Sequence, residues 1–335
     1  MLNGGVETTA RPSDERINVF SSLPFFLIQA SSLLAIYTGA RPRDVLVCVG
    51  LYFFRMWTLT TTYHRYFAHR SFKTSRVFQF ILAALATTCL QKGPLWWAAH
   101  HRHHHRESDQ PADVHSPVQR GFWWSHMGWI LCDHYNETRF EAIKDFARYP
   151  ELRFLNRFYW IAPLLMAIGL YAAGGLSMLV WGFAVSTTLL WHGTFTINSL
   201  SHVFGRRRYK TTDTSRNNWL LALITCGEGW HNNHHYHQNT ANQGWFWWEV
   251  DLSFYVLKVL SWLGLVWDVR TPSDEVKYAF RKYSAADRAA LEMESTPLFG
   301  QGFATARARI RGALEAAAES LPRGAPAPAP LLKRQ

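Results

Sequence analysis

The sequence predicts an all-α integral membrane protein, with four transmembrane helices, a cytoplasmic histidine-rich cap and interfacial amphipathic helices. Three observations predict it. Apolar segments come in two pairs, each joined by a short turn, and about 20 such residues in a helix cross a hydrocarbon core of roughly 30 Å. Charged residues are only 18% of the chain and gather between these segments. Finally, Arg65, Arg70, Lys73, Arg76, Arg102 and Arg106 would share one side with Arg206, Arg207, Arg208 and Lys210, leaving only Arg41 and Arg43 opposite. The excess of basic loop residues on the cytoplasmic side then puts the histidine-rich loops and both termini there.

In chain order, residues 1–16 read as a flexible polar arm with no cleavable signal peptide. Residues 17–40 carry no charge and form the first span. Residues 45–63 form the second, interrupted by Arg55, whose charge calls for an inward or interfacial position. The stretch 77–90 is too short to cross comfortably and reads as an interfacial or re-entrant helix. Residues 106–156 alternate polar and aromatic character, as in a cap outside the bilayer. Spans three and four follow at 158–173 and 176–197, hinged at Gly174-Gly175. An amphipathic stretch after Asp251 (Phe254, Val256, Leu257, Leu260, Trp262, Leu263) lies on the membrane surface. One membrane domain thus covers 17–270. A C-terminal extension, 271–335, is helical and then disordered through its Ala-Pro repeats.

The formal charge of +11 does not signal nucleic acid, because the basic residues flank apolar runs as they do beside anionic lipid. Cys48, Cys89, Cys132 and Cys226 stand alone, which argues against a disulfide framework or a thiolate metal site.

Histidines carry the chemistry. His100, His101, His103, His104 and His105 fall within six residues. Side chains three and four apart share a helix face, so His101, His104 and His105 converge. His100, His103 and His104 fit the same spacing, and periodicity does not choose between the registers. His231, His234 and His235 repeat the pattern, and Asn198 and His202 form a polar pair four apart. His64 and His69 are five apart, about 140° on a regular helix, so the chain is expected to unwind there. Nine imidazoles exceed the needs of one ion and imply two. All-nitrogen ligation with few nearby carboxylates fits iron, ahead of zinc or copper.

The order His-x4-His, His-x-x-His-His, Asn-Ser-x-x-His, His-x-x-His-His resembles the histidine boxes of the integral-membrane acyl-CoA desaturases, the stearoyl-CoA desaturase family. Arg102 after His101, the stretch Arg120-Gly121-Phe122-Trp123-Trp124-Ser125-His126-Met127-Gly128-Trp129 and Gly227-Glu228-Gly229-Trp230 extend the likeness over about residues 20–270. The resemblance implies two iron ions (Fe2+/Fe3+). His64, His69, His101, His105 and His235 would hold one. His104, His202, His231 and His234 would hold the other, with Asn198 fixing a water ligand. It further implies a bent acyl tunnel past Gln91, Trp97, Trp129, Thr194 and Phe195, and headgroup contacts from Arg120, Arg206, Arg207 and Arg208. Phe195 replaces the tryptophan of animal members, and Ala99-His100 their Arg-Asp pair.

The implied activity is a fatty acyl-CoA desaturase forming a cis double bond, Δ9 by family default, with O2. The substrate is a long-chain acyl-CoA or an acyl lipid. Since the chain has no haem or flavin motif, an external donor such as a ferredoxin or a cytochrome b5-like protein must supply two electrons. The rivals are a histidine-box hydroxylase and a membrane metal transporter or metal-binding protein. His115, His126, His134, His192 and His237 read as structural hydrogen-bonders, and the Trp96-Trp97, Trp123-Trp124 and 245–248 clusters as an interfacial aromatic belt.

Overall fold

A computed structural model describes residues 15–295; most of the expected arm and the Ala-Pro tail lie outside them. Helices dominate, and each begins where the local sequence dictates. Helices α1 (Leu23–Ser31) and α2 (Leu34–Thr38) divide the first apolar segment. The helix starts at Leu23, not at 17 as expected. Residues 17–22 instead form a strap: Ile17 bridges Cys132, and the Asn18 amide donates to the Leu131 carbonyl at 2.9 Å. Asn18 and Ser21 also bind the Asp133 carboxylate, which satisfies polar groups that a membrane helix would strand. Glu15, near the end of the expected arm, is already buried against Tyr135 and Arg120.

Helix α3 (Pro42–Thr58) opens with Pro at its first position after an extended Arg41. It continues without a break into a π-helix, Leu59–Ala68. Together, Pro42–Ala68 is one of two helices among the described residues long and apolar enough to cross a membrane. Arg55 points inward, as its charge requires. It is fully buried and donates to Thr88 O, Thr187 Oγ1 and Ser186 Oγ.

Helix α4 (Arg76–Thr87) is capped by Ser75, whose side chain accepts from the Phe78 amide. Helix α5 (Pro94–Glu107) carries the first histidine cluster. It leaves Gly93 where no Cβ fits, 2.4 Å from the Asn156 Cα. That contact packs α5 on α6 (Pro150–Arg157).

The second membrane-length helix is Ile161–His202. It comprises α7 (Ile161–Leu179), a π turn Val180–Val185 and α8 (Ser186–Asn198). The expected hinge lies inside it, with Gly174 and Gly175 leaving helical geometry and Gly175 at φ 66°. Leu164, Leu165, Ile168, Tyr171 and Leu189 are exposed along it, as are Leu46, Val49 and Phe53 on α3. So large an apolar surface calls for an apolar solvent.

Next come α9 (Trp219–Ile224), α10 (His231–Tyr236) and α11 (Leu252–Trp262), and among the described residues two α-helices follow, Asp274–Lys277 and Ala285–Glu294. Asn218 caps α9 and Asp251 caps α11. Helix α11 buries Leu257 and exposes Tyr255, Val259, Trp262 and Leu263, the amphipathic face expected there. Strands β1 (Lys73–Thr74) and β2 (Val266–Trp267) pair antiparallel, with Lys73 opposite Trp267. The core (Met56, Leu59, Tyr63, Phe67, Leu95, Ala98, Leu190, Trp191) sits where α3, the π-helix, α5 and α8 meet.

Candidate functional site

The site is built on the π-helix. Every residue of Leu59–Ala68 is buried, and the His69 amide bonds the His64 carbonyl at 3.2 Å. Such i→i+5 bonding sets residues five apart about one turn apart. His64 and His69 therefore converge because the helix winds wider, not because it unwinds. Arg102 of α5 donates to the Phe67 and Ala68 carbonyls and to both Asp145 oxygens, which ties off the end of this helix.

Between His64 and His69, Arg65 is buried and forks onto Glu228 (Nε 3.1 Å, Nη2 3.0 Å) and Asp251 (2.9 Å). It thereby joins the first histidine pair to the segment preceding the last. Gly227, at φ 122°, has no room for a Cβ, which would lie 2.3 Å from Asp251 and 2.9 Å from the Arg65 guanidinium.

Nine histidine rings meet in two groups, each with ligand atoms mutually within 4.8 Å. His64, His69, His101, His105 and His234 form the first; His104, His202, His231 and His235 form the second. The partition implied by the resemblance is corrected at one pair: His234 belongs with the first group and His235 with the second. Helix geometry supplies the reason. The four-apart pair His101 and His105 faces one group while His104 faces the other. On α10 the four-apart pair His231 and His235 stays together, and His234 turns across to His64 and His105, Nε2 to Nε2 at 3.0 and 2.9 Å. The register of the α5 cluster is also resolved. His100 turns to the Glu137 carbonyl (3.2 Å) and His103 to that of Ala112 (3.0 Å), away from both groups.

Carboxylates are more numerous around these rings than expected. Asp113 accepts from His104 Nδ1 (3.1 Å), Asp109 from His202 Nδ1 (3.2 Å) and Asp213 from His235 Nδ1 (2.7 Å), while Glu228 lies against His64 Nδ1. Each holds the proton on Nδ1 and leaves the Nε2 lone pair for the centre. Burial pushes these carboxyls up, but the histidine charge and hydrogen bonds outweigh it. Asp109, Asp113 and Asp213 end well below the ordinary range, and Glu228 at about 2. Burial, reinforced by neighbouring imidazoles, holds His69, His101, His105, His231 and His234 well below their usual value, in the neutral form that binds metals. Lone pairs facing each other at 2.9–3.2 Å repel unless a cation lies between them, so the donor set fits metal ions.

A cavity of about 520 Å3 opens beside the first group. Gln91, Trp97, Trp129, Thr194 and Phe195, all five expected tunnel residues, line it, together with Asn198 and His101. Gln91 donates to Thr194 Oγ1 at 3.0 Å, and Trp97 stacks on His101 at 4.9 Å. The exposed Ser21, Asn136 and Trp160 mark its opening.

Lys92 and His100 also line the cavity and were not anticipated. Burial pushes His100 down to about 4 and Lys92 to about 8. Trp96 is buried in the same wall, stacked on Trp129 at 5.8 Å, instead of lying in an aromatic belt. Trp247, by contrast, is 87% exposed while Trp245 is buried. The expected headgroup arginines are engaged internally. Arg120 pairs with Glu15, Arg207 with Glu294, and Arg208 with Glu249; only Arg206 stays exposed.

Of the histidines read as hydrogen-bonders, His115 packs on His104 (4.3 Å), and His126 bonds both Ser199 Oγ (2.9 Å) and His192 (3.0 Å). Sequence reasoning missed the carboxylate partners, although Glu228 stood within the quoted Gly-Glu-Gly-Trp.

Comparison with known proteins agrees with this geometry. The chain is 40% identical over 218 residues to an acyl-CoA 5-desaturase of Anemone leveillei, covering 64% of this chain and 68% of the relative. It is 36% identical over 263 residues to Delta-9 acyl-lipid desaturase 1 of Arabidopsis thaliana, covering 78% and 86%. It is 38% identical over 239 residues to the chloroplastic palmitoyl-monogalactosyldiacylglycerol delta-7 desaturase of the same plant, covering 70% and 64%. The fatty acid desaturase family model matches residues 44–258, which hold the π-helix, every ring of both groups and most of the cavity wall; the chain belongs to that family and is an oxidoreductase.

Proposed function

We propose that this chain introduces a cis double bond, at Δ9, into a long-chain acyl group held in the cavity. Trp97 carries this reading, because it lines the apolar cavity and stacks on His101 of the nine-ring cluster, so an acyl methylene can reach the metal positions. Two irons, when bound, supply the oxidising power that removing hydrogen from an unactivated methylene demands. The balance is one CH2–CH2 pair, O2, two electrons and two protons giving CH=CH and two waters. The electrons come from an external donor, a ferredoxin or a cytochrome b5-like protein.

His64, His69, His101, His105 and His234 hold one ion, and His104, His202, His231 and His235 the other, with Asn198 fixing a water. The protein's remaining task is position. The Gln91–Thr194 bond and Phe195 shape the cavity beside His101, and the Trp97 face holds the chain against it. The four apolar segments span the bilayer, with the histidines and both termini on the cytoplasmic side.

Acyl-CoA is the carrier the histidine boxes first suggest. A glycerolipid-borne chain is favoured by one observation at the opening. Among the described residues lining the cavity the lysine or arginine is Lys92, set beside Asn136 with Asp133 within electrostatic range. A polyanionic coenzyme calls for more cations than that.

Membranes containing the chain, a reductant and oxygen are given labelled acyl-CoA in one arm and labelled acyl-phospholipid vesicles in the other. Mass spectrometry then locates the product. A Δ9 alkene is expected; an alcohol would indicate a hydroxylase. Bound metal without oxygen-dependent turnover would indicate a transporter or metal-binding protein.

A further inference from the structure

The two metal positions are not alike in their surroundings. In the second group three of the four rings carry a carboxylate on Nδ1: Asp113 on His104, Asp109 on His202 and Asp213 on His235. Neutral donors also reach these carboxylates, and the Arg216 guanidinium lies within electrostatic range of Asp109. Asp109 accepts from Ser116 and Thr214, Asp113 from the Asp109 and His115 amides, and Asp213 from Thr211 and the Ser215 amide. In the first group one ring of five, His64, carries a carboxylate. That carboxylate, Glu228, is shared with the Arg65 guanidinium and the Gln243 amide.

We infer that the second group binds its ion more tightly than the first, and that Asp109, Asp113 and Asp213 are the positioning residues that make it so. The inference rests on the di-iron reading. A carboxylate on the far nitrogen makes an imidazole a better donor, and its charge attracts the cation across a dry interior. The second position receives three such contributions, offset in part by Arg216 near Asp109 and by Arg207, which donates to the Asp213 carbonyl at 2.7 Å. The first receives one, partly cancelled by Arg65. Four rings thereby hold an ion more firmly than five.

The test uses the full chain in detergent, loaded with 57Fe and exposed to a graded chelator, with Mössbauer spectroscopy resolving the two irons. The iron at the first group should leave first, giving a one-iron species with a single spectral component. Asp213→Asn keeps an oxygen acceptor for His235 Nδ1 and removes only the charge. It should weaken the retained iron about 10- to 100-fold, as loss of such partners does elsewhere. Glu228→Gln should change its own site less than that.

Two irons that leave together in the unmodified chain, or a larger loss from Glu228→Gln than from Asp213→Asn, overturn the inference while leaving the di-iron reading intact. A chain that binds one ion or none removes both. Staged release from the unmodified protein decides the matter even if a variant fails to fold.

Discussion

Replacing the histidines of α5 one at a time separates the two registers that spacing left open. His104 is 2% exposed, and both oxygens of Asp113, itself 0% exposed, lie 3.1 Å from its Nδ1. His104→Ala removes a member of the second group and strands that carboxylate with two amide donors. Leaving a buried carboxylate short of a donor costs at least about 1–3 kcal/mol. His103 is half-buried, and its ring makes one neutral bond to Ala112 O and one to Arg106. Its loss should be felt at about 0.5–1.5 kcal/mol. His100→Ala deletes a buried cavity wall without touching either group.

Iron content, thermal midpoint and acyl turnover are measured on the three variants. His104→Ala should fall from two irons per chain to one and lose activity. His103→Ala should keep both irons and most activity. His100→Ala should keep both irons while shifting chain-length preference. Iron and turnover lost in His103→Ala and kept in His104→Ala would refute the assignment of rings to groups.

Arg65→Met strands Glu228 and Asp251, so the unfolding free energy should drop by about 3–5 kcal/mol, read by denaturant titration; a change below 1 kcal/mol would remove Arg65 as the tie between the histidine segments. Gly229→Ala would put a Cβ 2.0 Å from the Ala222 amide nitrogen, and should lose at least about 1–3 kcal/mol and most of the folded yield in membranes.

Lys92, pushed down to about 8 by burial, binds fewer protons folded than unfolded between about pH 8 and its ordinary value near 10.5. Stability should therefore rise with pH across that window, while affinity for an anionic headgroup at the opening falls. Lys92→Gln should flatten both trends in melts and in KM, and an unchanged pH profile would clear Lys92 of that role.

The sequence by itself determined the pieces. Apolar length located the helix Pro42–Ala68 and the long helix Ile161–His202, which holds the third and fourth segments, and Gly174-Gly175 marked the break between them. The i,i+3,i+4 spacing put three histidines on one face of α5 and three on α10, because helix periodicity is a local property. The order of the four histidine segments was sufficient to suggest the family.

What tertiary structure decided was everything that depends on two segments meeting. Register could not choose between His100 and His105, since both choices share a face; packing of α5 against Glu137 and the π-helix chose. His64 and His69 converge through i→i+5 winding, which five-residue spacing does not announce. The arginines expected at a headgroup are engaged by Glu15, Glu249 and Glu294, partners 41 or more residues away in sequence. The allotment of His234 and His235, and the carboxylates behind the rings, rest on contacts between distant segments. Charge pairing and ligand geometry act through space, and only the folded chain brings those groups within reach.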